Sequence, residues 1–139
     1  MSSIVQTQTT SFKKELYQGI HNLSTDTLKI ALYTASANLN QDTTVYSSAN
    51  EVVASGYTAG GQVMTGITIQ SAGSVAYVNF ANVSWATAVT ARCALIYNVT
   101  QGNKSIAVLD FGSDKTSTTT FLITMPANTA TAALIRSSN

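Results

Sequence analysis

The chain is poor in charge. Asp, Glu, Lys and Arg make up 9% of its 139 residues, against about 25% in an ordinary soluble domain. Seven basic and six acidic residues leave a formal charge of +1. There is thus no electrostatic footprint for nucleic acid or for an anionic membrane surface, and neither is expected as a partner. One histidine and one cysteine exclude a disulfide within the chain and leave few ways to build a nucleophile with its base. No apolar run approaches the roughly 18 residues needed to span a bilayer. Met1 to Gln6 lack a basic stretch followed by an apolar core, so no secretory signal is read there and synthesis in a cytoplasm is expected. The Asn-X-Ser/Thr patterns at Asn22, Asn82, Asn98 and Asn103 are then chance products of an Asn/Ser/Thr-rich composition.

What is present is apolar content and short-period alternation. At 45% hydrophobic residues the chain has material for a core. A single domain of this length buries about two-thirds of its unfolded surface without a disulfide or a metal. Ser and Thr replace charge on the surface, as in Thr116-Ser117-Thr118-Thr119-Thr120.

Residues 1–10 are polar around the pair Ile4-Val5 and read as an extended N-terminal arm that adds little to the core. Residues 11–139 read as one β-rich domain. Phe12, Leu16, Ile20 and Leu23 recur near helical spacing with Ser11 as a cap, which predicts one short helix weakened by Gly19. After Thr27 the period becomes two. Leu28, Ile30 and Leu32 alternate with Lys29, Ala31 and Tyr33, a strand with one buried face. Residues 35–61 are too long for a bare loop, and Tyr46, Val52, Val53 and Tyr57 are expected to pin them, with a short helical turn near Ser47–Asn50.

Further strands are read at Val63–Ile69, Val75–Phe80, Val83–Trp85, Cys93–Val99, Ile106–Phe111, Phe121–Met125 and Ala132–Ile135. Turns fall at Ser71–Ser74 and Thr100–Lys104, and Pro126 stops its strand. Trp85, Leu95, Ile106, Val108, Phe121 and Ile123 are the expected core. Eight or so short strands at this spacing predict an all-β body, a β-sandwich or jelly roll, with one short N-terminal helix.

The chemistry-bearing residues are scattered. His21 closes the predicted helix, Cys93 sits in an apolar strand, and nothing brings them together. The carboxylates Glu15, Asp26, Asp42, Glu51, Asp110 and Asp114 fall in turns and connections, outside any recognisable acid/base pairing. Asp110, Ser113 and Asp114 fit an Asx turn better than a calcium site. Gly56-Tyr57-Thr58-Ala59-Gly60-Gly61 lacks the frame of a dinucleotide loop and the lysine of a phosphate loop, and reads as a tight turn anchored by Tyr57. Tyr33, Tyr77, Tyr97 and Trp85 lie in strand patterns, which favours core or interface over a sugar-binding platform. No catalytic residue, cofactor or metal site is predicted.

Two blocks, Leu28-Lys29-Ile30-Ala31-Leu32-Tyr33-Thr34 and Gly56-Tyr57-Thr58-Ala59-Gly60-Gly61-Gln62, resemble small structural proteins of tailed bacteriophages. Together with the size, the β-rich pattern and the Ser/Thr-rich surface, the chain is similar to capsid decoration, or cement, proteins. The resemblance implies a sandwich or jelly-roll body that binds the outer surface of the assembled capsid. Its partners would be the major capsid protein and further copies of itself, as a homo-oligomer and most simply a dimer. Such a clip resists separation of neighbouring capsomers, and its repeated contacts add avidity. An arm that orders on binding would add contact, so Ile4, Val5 and Gln6 are the expected capsid-contact residues. A tail or baseplate component, and a carbohydrate-binding fibre module, share the same composition and remain alternatives.

Overall fold

In a computed structural model that describes residues 5–137, the chain is all-β with one short helix, and its antiparallel sheets pack around a common core. Its elements are β1 (Val5–Gln8), α1 (Thr10–Tyr17), β2 (Leu28–Tyr33), β3 (Gln62–Val63), β4 (Thr68–Ala72), β5 (Val75–Asn79), β6 (Val83–Trp85), β7 (Thr90–Asn98), β8 (Lys104–Thr116), β9 (Phe121–Ile123) and β10 (Ile135–Ser137). The five-stranded sheet has the order β1-β8-β7-β2-β3. A three-stranded sheet, β10-β5-β4, and a two-stranded one, β6-β9, supply the facing layer of a sandwich-like body.

The main core lies between these layers. Leu28, Ile30 and Leu32 of β2, Ala94 and Ile96 of β7, and Ala107 and Leu109 of β8 meet Val78, Val83, Trp85, Phe121, Ile123 and Ile135 from the opposite side. Alternation places these residues on one face. All six residues predicted as core are buried. They do not share one face, however. Leu95 and Val108 belong to a second cluster with Ala31, Tyr33, Cys93 and Tyr97 on the other face of the central sheet.

This corrects the expectation of one buried face on β2. Ala37, Leu39 and Tyr46, from the connection that follows β2, cover the second face. The connection itself holds a turn with Asn50 at φ 63°, and Glu51 N–H donates to Ser48. There is no helical turn there, and Val53, expected as an anchor, is 97% exposed.

Two register breaks shape the β7–β8 pair. Ile96 faces Ala107 and Tyr97 faces Ser105, so Ile106 is an extra residue in β8. The bulge sends Ile106 and Ala107 to the same core. A larger shift between Ala91 and Cys93 accommodates the kink at Gly112, whose φ is 82°.

The N-terminal segment is more integrated than an arm. Val5–Gln8 pairs antiparallel with Asp110–Ala107 as an edge strand. Thr9, not Ser11, caps α1: its Oγ1 accepts from Phe12 N–H at 3.3 Å, and its own N–H donates to Ile106 O at 3.0 Å. Ile4 lies outside the described residues. The helix also stops earlier than its apolar spacing suggests. Gly19 adopts φ 71°, with Ile20 N–H donating to Glu15 O and Gly19 N–H to Leu16 O. That is a Schellman ending, so Gly19 terminates the helix rather than merely weakening it.

Val63 and Ile69 fall in different sheets rather than on one strand. Gly66, at φ 61°, separates them where a Cβ would stand 2.8 Å from that of Ala81. The last strand begins at Ile135. Before it, Leu134 N–H donates to the Asn79 side chain, whose amide donates to Pro126 O. No helix among the described residues is long and apolar enough to cross a membrane.

Candidate functional site

The densest polar arrangement surrounds Glu51, a carboxylate buried in an uncharged stretch. Its Oε1 accepts from Tyr46 Oη at 2.6 Å, and its Oε2 accepts from Tyr57 Oη at 2.5 Å and Gly60 N–H at 2.7 Å. Tyr57 Oη in turn accepts from Leu32 N–H at 2.9 Å, and Tyr97 Oη donates to Gly60 O at 2.6 Å. Tyr33 Oη donates to Ser47 O at 2.6 Å, and the Tyr46 and Tyr97 rings stack with centroids 4.6 Å apart. A buried carboxylate needs such donors because desolvation disfavours it otherwise.

Burial first, then the Glu51 charge, pushes Tyr97 up to about 12 and raises Tyr33 well above the ordinary phenol value. Tyr46 and Tyr57 are raised by burial and by their hydrogen bonds to Glu51. These phenols therefore stay protonated as donors at neutral pH. The arrangement is a lock: it ties the connection after β2 to the central sheet.

The same lock joins the two blocks that carry the phage resemblance. Gln62 and Val63 pair with Ile30 and Lys29, and Gly61, at φ 79°, lies so close to β2 that a Cβ would sit 1.7 Å from Ile30 O. Only glycine fits that approach. The Gly56–Gly61 turn is anchored by Tyr57, as the sequence suggested, and the structure packs it on β2.

His21 and Cys93 are not brought together. His21 Nε2–H donates to Glu15 Oε1 at 2.8 Å, while Nδ1 accepts from Asn98 Nδ2 at 2.9 Å. Asn98 Nδ2 also donates to Asp26 Oδ2 at 2.8 Å, and Asn22 N–H donates to the same oxygen at 3.0 Å. The Asn22 bond is the leading cause that holds Asp26 below the ordinary carboxylate range. His21 is therefore a buried link between α1, the turn after it and the end of β7. Cys93 lies in the second cluster, where burial chiefly, and the Asp110 charge next, push the thiol up to about 11. It is a core residue rather than a nucleophile.

Asp110 Oδ1 accepts from Gly112 N–H at 2.8 Å, the geometry of an Asx turn. Arg92 Nε donates to the same oxygen at 3.4 Å. No group of three His, Cys, Asp or Glu able to hold a metal ion occurs among the described residues. Tyr33, Tyr97 and Trp85, three of the four aromatic side chains weighed as a sugar platform, are buried. Tyr77 is half-buried, and Tyr17 is 94% exposed.

Two surface grooves lie beside α1. A groove of about 600 Å³ runs between β1 and β10, lined by Gln6, Thr7, Gln8, Lys13, Tyr17 and Arg136. Gln8 Nε2 bridges it to Arg136 O at 2.8 Å. A second groove, of about 430 Å³, continues from Leu16 and Ser137 to Ile69, Tyr77 and Ile135. Of the residues expected to contact a capsid, Gln6 lines the first groove, and the Val5 backbone pairs with Asp110 beside it. Sequence reasoning missed Leu16 and Tyr17 as surface groups, because helical spacing assigned Leu16 to the core. No family model, curated protein or solved structure matches the chain.

Proposed function

We propose that the protein is a structural component of a tailed-bacteriophage virion that binds the outer capsid surface and cements neighbouring capsomers without catalysing a reaction. The observation that carries this reading is the fit between the two resembling blocks. Leu28–Thr34 and Gly56–Gln62 form one unit whose conspicuous residues, Tyr57 and Gly61, act on the backbone of β2. A motif spent on architecture suits a protein whose task is to present a stiff surface.

In this reading the partner is the major capsid protein. Of the expected contacts Ile4, Val5 and Gln6, Gln6 lines the groove between β1 and β10, and Lys13, Tyr17 and Arg136 complete the contact. The protein is made in the host cytoplasm and resides on the outer face of the virion. It acts as a homo-oligomer, most simply a dimer. Low net charge limits repulsion between crowded copies.

The test compares particles with and without the protein under heat and osmotic shock, alongside its copy number per virion. Hundreds of copies, and heads that burst sooner without it, support the reading. A handful of copies confined to tails would replace it with the tail or baseplate alternative, and heads equally robust without the protein would end the cement role.

A further inference from the structure

We propose that the free edge of β4 is a self-association site, at which a second copy of this chain adds its own β4 to form one continuous sheet. β4 closes the three-stranded sheet on one side, with β5 as its sole strand partner among the described residues. All five of its residues, Thr68 to Ala72, are exposed, and Ile69 is 52% exposed. An unpaired strand edge offers a row of backbone donors and acceptors to another strand.

Proteins usually blunt such an edge with lysine, proline, an inward charge or a bulge. β4 has none of these. Its sequence is Thr-Ile-Gln-Ser-Ala, and its register with β5 runs unbroken from Thr68↔Asn79 to Ala72↔Val75. The other edge strands are shorter, with four residues in β1, three in each of β6, β9 and β10, and two in β3. β10 also carries Arg136 and is bridged to β1 by Gln8.

Charge decides which occupant fits. Neither β4 nor the groove beneath Ile69 is lined by any Asp, Glu, Lys or Arg. A second copy therefore meets this edge without like-charge repulsion. The groove between β1 and β10 differs: copies facing each other there would bring Lys13 and Arg136 against their own counterparts. Five-residue strand pairing covers less than the roughly 1,000 Å² that a stable interface needs. The apolar groove adjoining β4, with Leu16, Ile69, Tyr77 and Ile135, adds area on the same side. Identical strands related by a two-fold axis pair antiparallel, which makes the contact closed and isologous. The inference names the surface for the self-association in the reading above, and it can fail independently of attachment to a shell.

The experiment is sedimentation velocity on the full chain from about 1 μM to about 1 mM, with amide hydrogen exchange of residues 68–72 at both ends of that range. The expected result is a monomer–dimer equilibrium in which those amides gain protection as concentration rises. Ile69→Lys and Thr68→Lys each place like charges across the two-fold contact. Each should weaken association by about tenfold or more while leaving the thermal midpoint and circular dichroism unchanged. Lys13→Gln, in the other groove, should leave association as in the parent chain. A chain that stays monomeric throughout, variants that dimerise like the parent, or β4 amides indifferent to concentration would each overturn the assignment. A dimer that attaches to no capsid would sink the virion reading and leave this one standing.

Discussion

The Tyr57 hydroxyl stands between Glu51 and Leu32, donating to Glu51 Oε2 at 2.5 Å and accepting from Leu32 N–H at 2.9 Å. One oxygen thus joins a carboxylate in a long connection to the backbone of a central strand. Replacing it leaves the Leu32 N–H without this acceptor and Glu51 Oε2 with the Gly60 N–H alone. Tyr57→Phe keeps the ring and its packing near Trp85, so the loss is polar. It is expected to cost about 2–4 kcal/mol, because an unsatisfied buried group costs more than a hydrogen bond contributes net. Urea unfolding measures this, and a change under about 0.5 kcal/mol would mean that the lock carries no stability.

The same cluster sets the alkaline limit. Tyr97 ionises near pH 10.0 in the unfolded chain and at about 12 when folded, and Tyr33, Tyr46 and Tyr57 are raised as well. The stability these phenols contribute is complete below pH 10.0 and is lost as pH climbs towards the folded values. In that window the unfolded chain has released protons that the folded chain retains. Urea midpoints should therefore fall steadily above about pH 10, with tyrosinate absorbance of the cluster appearing alongside unfolding. A midpoint flat across the window would contradict the burial of these groups.

Leu95 tests the second face of the central sheet. It is fully buried against Ala31, Val108 and the connection that carries Leu39 and Tyr46. Leu95→Ala should cost about 2–5 kcal/mol. If the connection merely brushed the sheet, the site would collapse or admit water, and the loss would fall below about 0.5 kcal/mol.

Gly61→Ala reads the fit between the two resembling blocks. The new Cβ would have to displace Ile30 O, and φ 79° is already unfavourable for a side chain. A loss of about 1–3 kcal/mol is expected from strain alone, together with faster amide exchange in residues 29–31. Unchanged exchange there would show that Gly61 does not bear on β2.

How far these features were legible depended on where their causes lie. Leu28 to Tyr33 announced a strand because alternation is local. That both faces are covered was not visible, since the cover comes from Ala37, Leu39 and Tyr46, which follow no period. The bulge at Ile106 was hidden because a bulge is defined by the partner strand. Val5–Gln8 read as an arm because it is polar and its partner, β8, lies about a hundred residues away. Gly19 was visible as a helix weakness, but its role as the terminator depends on the hydrogen bonds it closes. For Glu51 one signal existed: a lone carboxylate beside Val52, between Tyr46 and Tyr57, in an otherwise uncharged segment.

The integration of the N-terminal segment changes what truncation should do. On the arm reading, removal of residues 1–10 would spare the body. In the structure, Thr9 is fully buried, caps α1, and accepts from Ser105 Oγ at 2.9 Å, while Val5–Gln8 completes the edge of the five-stranded sheet. Deleting residues 1–9 therefore removes a strand and a helix cap and exposes the edge of β8. Loss of the cap alone costs about 0.5–2 kcal/mol, and the lost strand adds to it. Deleting residues 1–4 touches no described element. The longer deletion should lower the urea midpoint and make α1 amides exchange faster. On the virion reading, the shorter deletion tests Ile4 as a contact when its urea midpoint matches that of the full chain, since weaker attachment is then not due to a damaged fold. If both deletions leave the midpoint unchanged, β1 is not part of the folded body.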